Sequence, residues 1–289
     1  MSYIGLVKNI SNISYQFDYP LSNLNKYGTG GNAKLAIFPS NLEELKSVVN
    51  LVKGNFNYFI IGGGSNLLVS DSGYDGIIIS TKEVNKTDIK GSLYIAECGA
   101  KIKTVIDDMA NNCFSGLEFA VGIPATVGGA VAMNAGCYGK NIGDYVCYVV
   151  TENNTYNKEE CQFSYRKSVF LQNGETILKV CFNTIPQEED YIQEKLNSYK
   201  NFRKNPKGRN CGSVFKNDGF FAGKIIDEVG LKGFKIGGAK ISNEHANFII
   251  AEKGATSSDI YNLIKIVKQK VYEKKQITLN EEIIYLGEF

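Results

Sequence analysis

The chain has 289 residues, of which 43% are hydrophobic, and a formal net charge of +2. That length suggests two domains, or one core with an added lobe. The hydrophobic share excludes general disorder, and the near-neutral charge excludes a chain-wide bias toward polyanions. The first 17 residues show no sustained apolar run and no small-residue cleavage site, so no signal peptide is expected. No apolar run reaches membrane-spanning length, and a cytoplasmic protein without a membrane partner is the expectation. Residues 35–39 predict a short strand. A helix follows over 41–53, with Leu42, Leu45, Val48, Val49 and Val52 at helical spacing, Asn41 as N-cap, and Glu43 and Glu44 in the first turn. Residues 58–61 predict a buried strand running into Gly62; 76–80 and 93–98 predict two more, and 103–112 a helix. From 146 to 183 the pattern is mostly β, clearest at 177–182. Pro186 and an acidic run at 188–190 mark a boundary before a helix over about 191–204. Thr256 and Asp259 fit a capping box, after which Ile260, Leu263, Ile264, Val267 and Val271 form one stripe. The last strand is expected at 283–286. Strands and helices mix without regular alternation, which favours α+β over a doubly wound sheet.

Seven cysteines, an odd number without CxxC spacing, read as reduced thiols. With His245 the one histidine and no clustered Cys/His set, no metal site is expected.

Among the 30 glycines, two glycine-rich segments stand out. Gly62, Gly63 and Gly64, followed by Ser65 and Asn66, come directly after a strand. Three glycines let backbone N–H groups approach an anion without Cβ interference, and a diphosphate is the natural guest. The plainer alternative is a tight hairpin turn, although a hairpin needs fewer glycines. The segment is neither a dinucleotide fingerprint nor a P-loop, because LLVSDSG follows instead of a helix and GK[ST] is missing. The second cluster, 122–136, is GIPATVGGAVAMNAG. Its tiny residues suit close packing on a flat ring, and Thr126 with nearby amides suits an anion-binding helix N-terminus. The alternative is a small-residue helix packed on a sheet.

Residues 200–240 hold ten basic and three acidic side chains, a local excess that concentrates anionic ligands. No nucleic-acid motif accompanies it, so no nucleic acid is expected as partner. Three segments carry candidate chemistry: FSYRKS with Arg166, CGSVFKN with Ser213 and Lys216, and LNEEI with Glu282. Taken singly, each has a plainer reading: an ion-paired arginine, a turn serine, an exposed glutamate.

Taken together, LSNLNKYGTGGNA, IIGGGSNLLVSDSGYDGIII, GLEFAVGIPATVGGAVAMNAGCYG, FSYRKSVF, CGSVFKN, FAGKIIDEVGLKGFKIGGAKIS and EHANFII resemble the UDP-N-acetylenolpyruvoylglucosamine reductase (MurB) family, in order and spacing, from about Leu21 to Gly287. The compact 136–165 stretch resembles the shorter subtype that lacks the extra tyrosine loop. The resemblance implies a two-lobed FAD-binding region of the p-cresol methylhydroxylase/vanillyl-oxidase type over 18–188, its lobes divided near 62–70. It further implies an α+β substrate domain over 191–289 whose last strand returns to the first lobe. FAD, held non-covalently, and NADPH as electron donor are the implied cofactors, and a monomer is the implied state. The implied cofactor contacts are Gly62, Gly63, Gly64, Ser65, Asn66, Gly122, Ile123, Thr126, Gly128, Gly129, Ala130 and Asn134. Arg166, Ser213 and Glu282 match the family's catalytic residues. Tyr165, Lys204, Lys216, Asn217, Lys232 and Asn247 fall in segments that contact the nucleotide-sugar. Asn25 stands where threonine is usual, Gly28 where a basic residue is usual, and Ala125 where glycine is usual. Two other readings are a different FAD-dependent oxidoreductase on this scaffold and a non-catalytic nucleotide-sugar binding protein.

Overall fold

The computed structural model describes residues 2–10, 12–203 and 205–289. The fold is α+β, and its residues form two compact units. The first comprises Met1–Gln16, Leu35–Gly63 and Gly76–Arg203; the second comprises Phe17–Lys34, Gly64–Asp75 and Lys204–Phe289. Each unit has its own apolar core.

In the first unit a five-stranded antiparallel sheet runs in the order Thr155–Asn157, Val146–Thr151, Ile177–Asn183, Leu93–Glu97, Thr87–Lys90. Tyr94, Ala96, Val146, Val149, Val180 and Phe182 point from it into the core. A second sheet is ordered Ser14–Pro20, Asn32–Phe38, Tyr74–Ser80, Tyr58–Ile61. Leu35, Ala36 and Ile37 are consecutive and all buried, so this strand is covered on both faces. The strand Tyr58–Ile61 pairs in parallel with Tyr74–Ser80. Its expected full burial is not observed: only Ile61 is buried, because this strand lies at the sheet edge.

The helix Leu42–Val52 joins two of these strands and follows its sequence signals closely. The Asn41 side chain accepts from the Glu44 amide at 3.0 Å, and Glu44 accepts from the Ser40 amide at 2.7 Å. Leu45, Val48, Val49 and Val52 are fully buried. Removing the cap leaves a first-turn donor to water, so Asn41→Ala should cost about 1 kcal/mol of stability. A lower urea midpoint at unchanged slope is the measurement that checks this.

In the second unit, Lys235–Ile236, Ala239–Ile241 and Ile249–Ala251 form an antiparallel meander against the helix Ser257–Lys275. The expected capping box is present: Thr256 accepts from the Asp259 amide, and Asp259 from the Thr256 amide, both at 3.1 Å. The whole predicted stripe from Ile260 to Val271 is buried. The last strand, Ile284–Leu286, pairs in parallel with Leu67–Val69. Among the described residues no helix is long and apolar enough to cross a membrane.

Candidate functional site

In the first unit the strand Tyr58–Ile61 delivers Gly62 directly against the second glycine-rich segment. A Cβ on Gly62 would lie 2.2 Å from Thr126 Oγ1, and one on Gly63 would lie 3.3 Å from the Pro124 carbonyl oxygen. Only a residue without a side chain allows this approach at 62. Thr126 is the N-cap of the helix Val127–Ala132, yet its side chain makes no capping bond. Its hydroxyl is buried without a hydrogen-bond partner.

One expectation is corrected here. Two of the first three helix amides are not open to an anion, because Val127 donates to the Ala100 carbonyl and Gly128 to the Cys98 carbonyl, each at 2.8 Å. Gly128 permits this contact, since a Cβ there would sit 3.0 Å from Cys98 Cβ. A Cβ on Gly129 would have Thr126 Oγ1, at 3.5 Å, as its nearest neighbour outside the helix backbone. Ala130 is buried in the core, and Ile123 packs against it.

Gly122 takes φ +79°, and a Cβ on it would meet Arg203 Cδ at 2.6 Å. Arg203 is a candidate that sequence reasoning passed over as one charge of the basic stretch. Its Nε is buried without a partner, while its Nη2 lies 2.9 Å from Cys137 Sγ. A cation so placed is available to an anionic guest, and no local pattern around it signals that.

Arg166 occupies a two-residue turn closed by reciprocal 3.1 Å bonds between Ser164 and Lys167. It adopts φ +55°, a left-handed conformation that costs a non-glycine residue about 1–3 kcal/mol. Its Nη2 donates to the Gly136 carbonyl at 3.1 Å, and its guanidinium carbon lies 4.9 Å from the Tyr165 ring centre. Asn134 fixes this turn. Its Nδ2 donates to the Ser164 carbonyl and its Oδ1 accepts from the Gly143 amide, both at 2.9 Å. Asn134, expected to touch the cofactor, therefore holds the arginine turn to the end of the small-residue helix.

In the second unit Gly64, at φ +60°, faces the 21–29 turn, where a Cβ would lie 1.9 Å from the Leu24 carbonyl oxygen. Asn25 locks that turn by donating to the Leu21 and Thr29 carbonyls, each at 2.8 Å, and accepting from the Gly28 amide at 3.0 Å. The Arg209 guanidinium lies over Gly28, 3.1 Å from where a Cβ would be. Ser65 is half-buried. Asn66 donates through Nδ2 to the Glu282 carbonyl at 2.9 Å.

Ser213 sits in an extended segment held on both sides. It bridges Phe248; Val214 donates to the Asn247 carbonyl at 2.9 Å and accepts from the Glu282 amide at 2.7 Å. Lys216 donates through its amide to the Asn280 carbonyl at 2.8 Å. Ser213 and Glu282 thus lie on neighbouring extended segments. Asn247 is buried, with Oδ1 accepting from the Phe215 amide at 2.9 Å and Nδ2 donating to the Phe215 carbonyl at 2.8 Å. Its two bonds to Phe215 hold the Ser213 segment. Asn217 accepts from the Ala222 amide at 3.0 Å. Lys232 is ion-paired with Asp227 at 2.6 Å, a geometry that leaves it exposed. Lys204 lies outside the described residues. His245 accepts from the Asn247 amide at 3.2 Å and stacks edgewise on Phe248, and burial pushes its imidazole below the usual histidine range.

Residues 33–155 match the family described as "FAD binding domain". A Phl p 4 variant described as a glucose oxidase shares the fold at a TM-score of 0.50 and 13% identity, over 65% of this chain and 45% of that one. The class is therefore that of FAD-binding flavoprotein folds. Residues 203–286 match "UDP-N-acetylenolpyruvoylglucosamine reductase, C-terminal domain". The protein of that name from Caldicellulosiruptor saccharolyticus is 40% identical over 290 residues, 96% of this chain and 94% of that protein. Its counterpart from Clostridium novyi is 37% identical over 278 residues, covering 93% and 91%. The crystal structure of the Thermus caldophilus enzyme matches with a TM-score of 0.82 at 32% identity, covering 95% of this chain and 99% of that one. The chain belongs to the UDP-N-acetylenolpyruvoylglucosamine reductase family.

Proposed function

We propose that this chain is the FAD- and NADPH-dependent reductase that converts UDP-N-acetylglucosamine enolpyruvate to UDP-N-acetylmuramate, a peptidoglycan precursor. The observation that carries the reading is Arg166. A charged residue persists at φ +55°, where glycine would sit without strain, on a turn pinned by Asn134. Such a conformation persists where surrounding contacts over-determine it, and here those contacts fix where the guanidinium is presented.

FAD fits the glycine loops. The buried, partnerless Thr126 hydroxyl lies where Gly62 removes all side-chain bulk, and a phosphate oxygen would satisfy it. In the first unit Gly62, Gly63, Gly122, Ile123, Thr126, Gly129 and Ala130 would line that group, with Gly128 shaping the loop; Gly64, Ser65 and Asn66 of the second unit are assigned to FAD on the family resemblance. FAD held there would supply hydride-transfer chemistry between NADPH and C3 of the enolpyruvyl group. The Arg166 guanidinium stabilises the negative charge that develops on the substrate carboxylate. Ser213 donates a proton to C2, with Lys216 nearby in sequence to lower the cost of the departing proton. Glu282 polarises the developing enol. Tyr165, Lys216, Asn217, Lys232 and Lys204 bind the nucleotide-sugar, and Asn134 and Asn247 position the two catalytic segments. The protein acts in the cytoplasm as a monomer.

Purified protein should be yellow, and the flavin released by heat should be FAD. A folded, colourless protein that takes up no FAD would contradict the reading. Thr126→Val supplies a readout apart from turnover. It removes an unsatisfied hydroxyl, so the flavin-free protein should be at least as stable, while FAD affinity falls about tenfold, the worth of one hydrogen bond. Thermal melts of flavin-free protein and FAD titration check both halves.

A further inference from the structure

The five-stranded sheet of the first unit carries two cysteines on the face turned away from its core. Val146–Thr151 pairs with Ile177–Asn183, and the register moves from Val146 opposite Phe182 to Tyr148 opposite Cys181. Cys147 is the extra residue of a β-bulge, in which two residues of one strand face a single residue of the other. Burial agrees with that geometry. Val146 and Val149 join the core, while Cys147 and Tyr148, between them, are both half-buried. On the partner strand Val180 and Phe182 join the core, while Cys181 points to the other face, covered from solvent. The bulge therefore presents Cys147 and Tyr148 together to Cys181.

Both residues of such a bulge stand opposite the single partner residue, so Cys147 as well as Tyr148 confronts Cys181, and the two thiols are close enough to share a hydrogen bond. The two thiols also feel each other: burial first, and then the neighbouring Cys147, push the Cys181 thiol up to about 11.

We propose that Cys147 and Cys181 are an oxidisable dithiol, converted by a hydroperoxide into a reversible cross-strand disulfide. The half-buried Cys147 meets the oxidant. Its thiolate attacks the peroxide, the O–O bond breaks, and after protonation Cys147 sulfenic acid and one water result. Cys181 sulfur then attacks Cys147 sulfur. The S–S bond forms, the S–O bond breaks, and the thiol proton leaves with the hydroxyl as a second water. Two thiols lose two electrons in all, and one hydrogen peroxide becomes two waters. A small dithiol reverses the change by exchange. The disulfide closes residues 147–181 into a loop that contains the Arg166 turn.

The test uses the folded FAD-bound protein, treated with excess hydrogen peroxide, alkylated, digested and mass-analysed. The expected product links the Cys147 and Cys181 peptides, lowers the intact mass by about 2 Da, and is lost on dithiothreitol treatment. It should be absent in Cys147→Ser and in Cys181→Ser, and unchanged in Cys113→Ser, which removes the exposed thiol. Recovery of Cys147 as sulfinic acid beside an alkylatable Cys181 would overturn the proposal. So would absence of any linkage, or linkage through Cys113 alone.

Discussion

Arg166→Ala should lower turnover of the enolpyruvyl substrate by about 10²–10³-fold, the usual loss when one preorganised donor to a developing oxyanion is removed. FAD content and NADPH-driven bleaching of the flavin should be unchanged. The turn is closed by backbone bonds between Ser164 and Lys167, and Asn134 holds the Ser164 carbonyl at 2.9 Å. Those contacts survive truncation of the arginine, which does lose its 3.1 Å bond to the Gly136 carbonyl and its contact with the Tyr165 ring, so the larger loss falls on the chemistry. Alanine keeps the backbone strain at φ +55°. Arg166→Gly relaxes it and should be more stable than Arg166→Ala, yet equally slow. Arg166→Lys restores the charge without the planar fork and should recover only part of the rate. Rapid mixing of NADPH-reduced protein with the enolpyruvyl substrate separates this step from the reduction that precedes it.

Ser213→Ala should lower the same step by about 10²–10⁴-fold, the range for loss of a positioned general acid. Ser213 is half-buried and held by segments on both sides, through the Phe248 bridge and the Glu282 amide bond to Val214. None of these bonds uses its hydroxyl, so alanine should fold with an unchanged melting temperature. NADPH should still bleach the flavin at the normal rate, while recovery of colour on adding substrate slows. Equal slowing of both half-reactions would remove Ser213 from the proton-donor role.

The sequence made local structure legible and left long-range structure hidden. Asn41 with the stripe from Leu45 to Val52, and Thr256 with the stripe from Ile260 to Val271, each specify a helix through contacts within a few residues. The glycine loops were legible as places of close approach, because Gly62 and Gly64 have no room for a side chain. What fills that room is non-local: Thr126 at Gly62, and Leu24 at Gly64. The division into units follows from pairings such as Ile284 opposite Leu67, which no periodicity signals. The resemblance implies a cofactor contact for Asn134 and places Asn247 in a segment that contacts the nucleotide-sugar. Their acceptors, Ser164 and Phe215, lie about 30 residues away, so sequence could name the residues but not their bonds. The Val127 and Gly128 amides read as an anion site for the same reason, since Ala100 and Cys98 take them up. The bulge at Cys147 was invisible because a strand with one extra residue keeps an ordinary β composition.

The most direct test of the central claim is NADPH oxidation by the purified yellow protein, followed at 340 nm with product mass measured in parallel. NADPH should be consumed rapidly only when UDP-N-acetylglucosamine enolpyruvate is present, one molecule for each UDP-N-acetylmuramate formed. NADPH consumption that ignores the enolpyruvyl substrate, or that proceeds without the two-hydrogen gain in product mass, would contradict it.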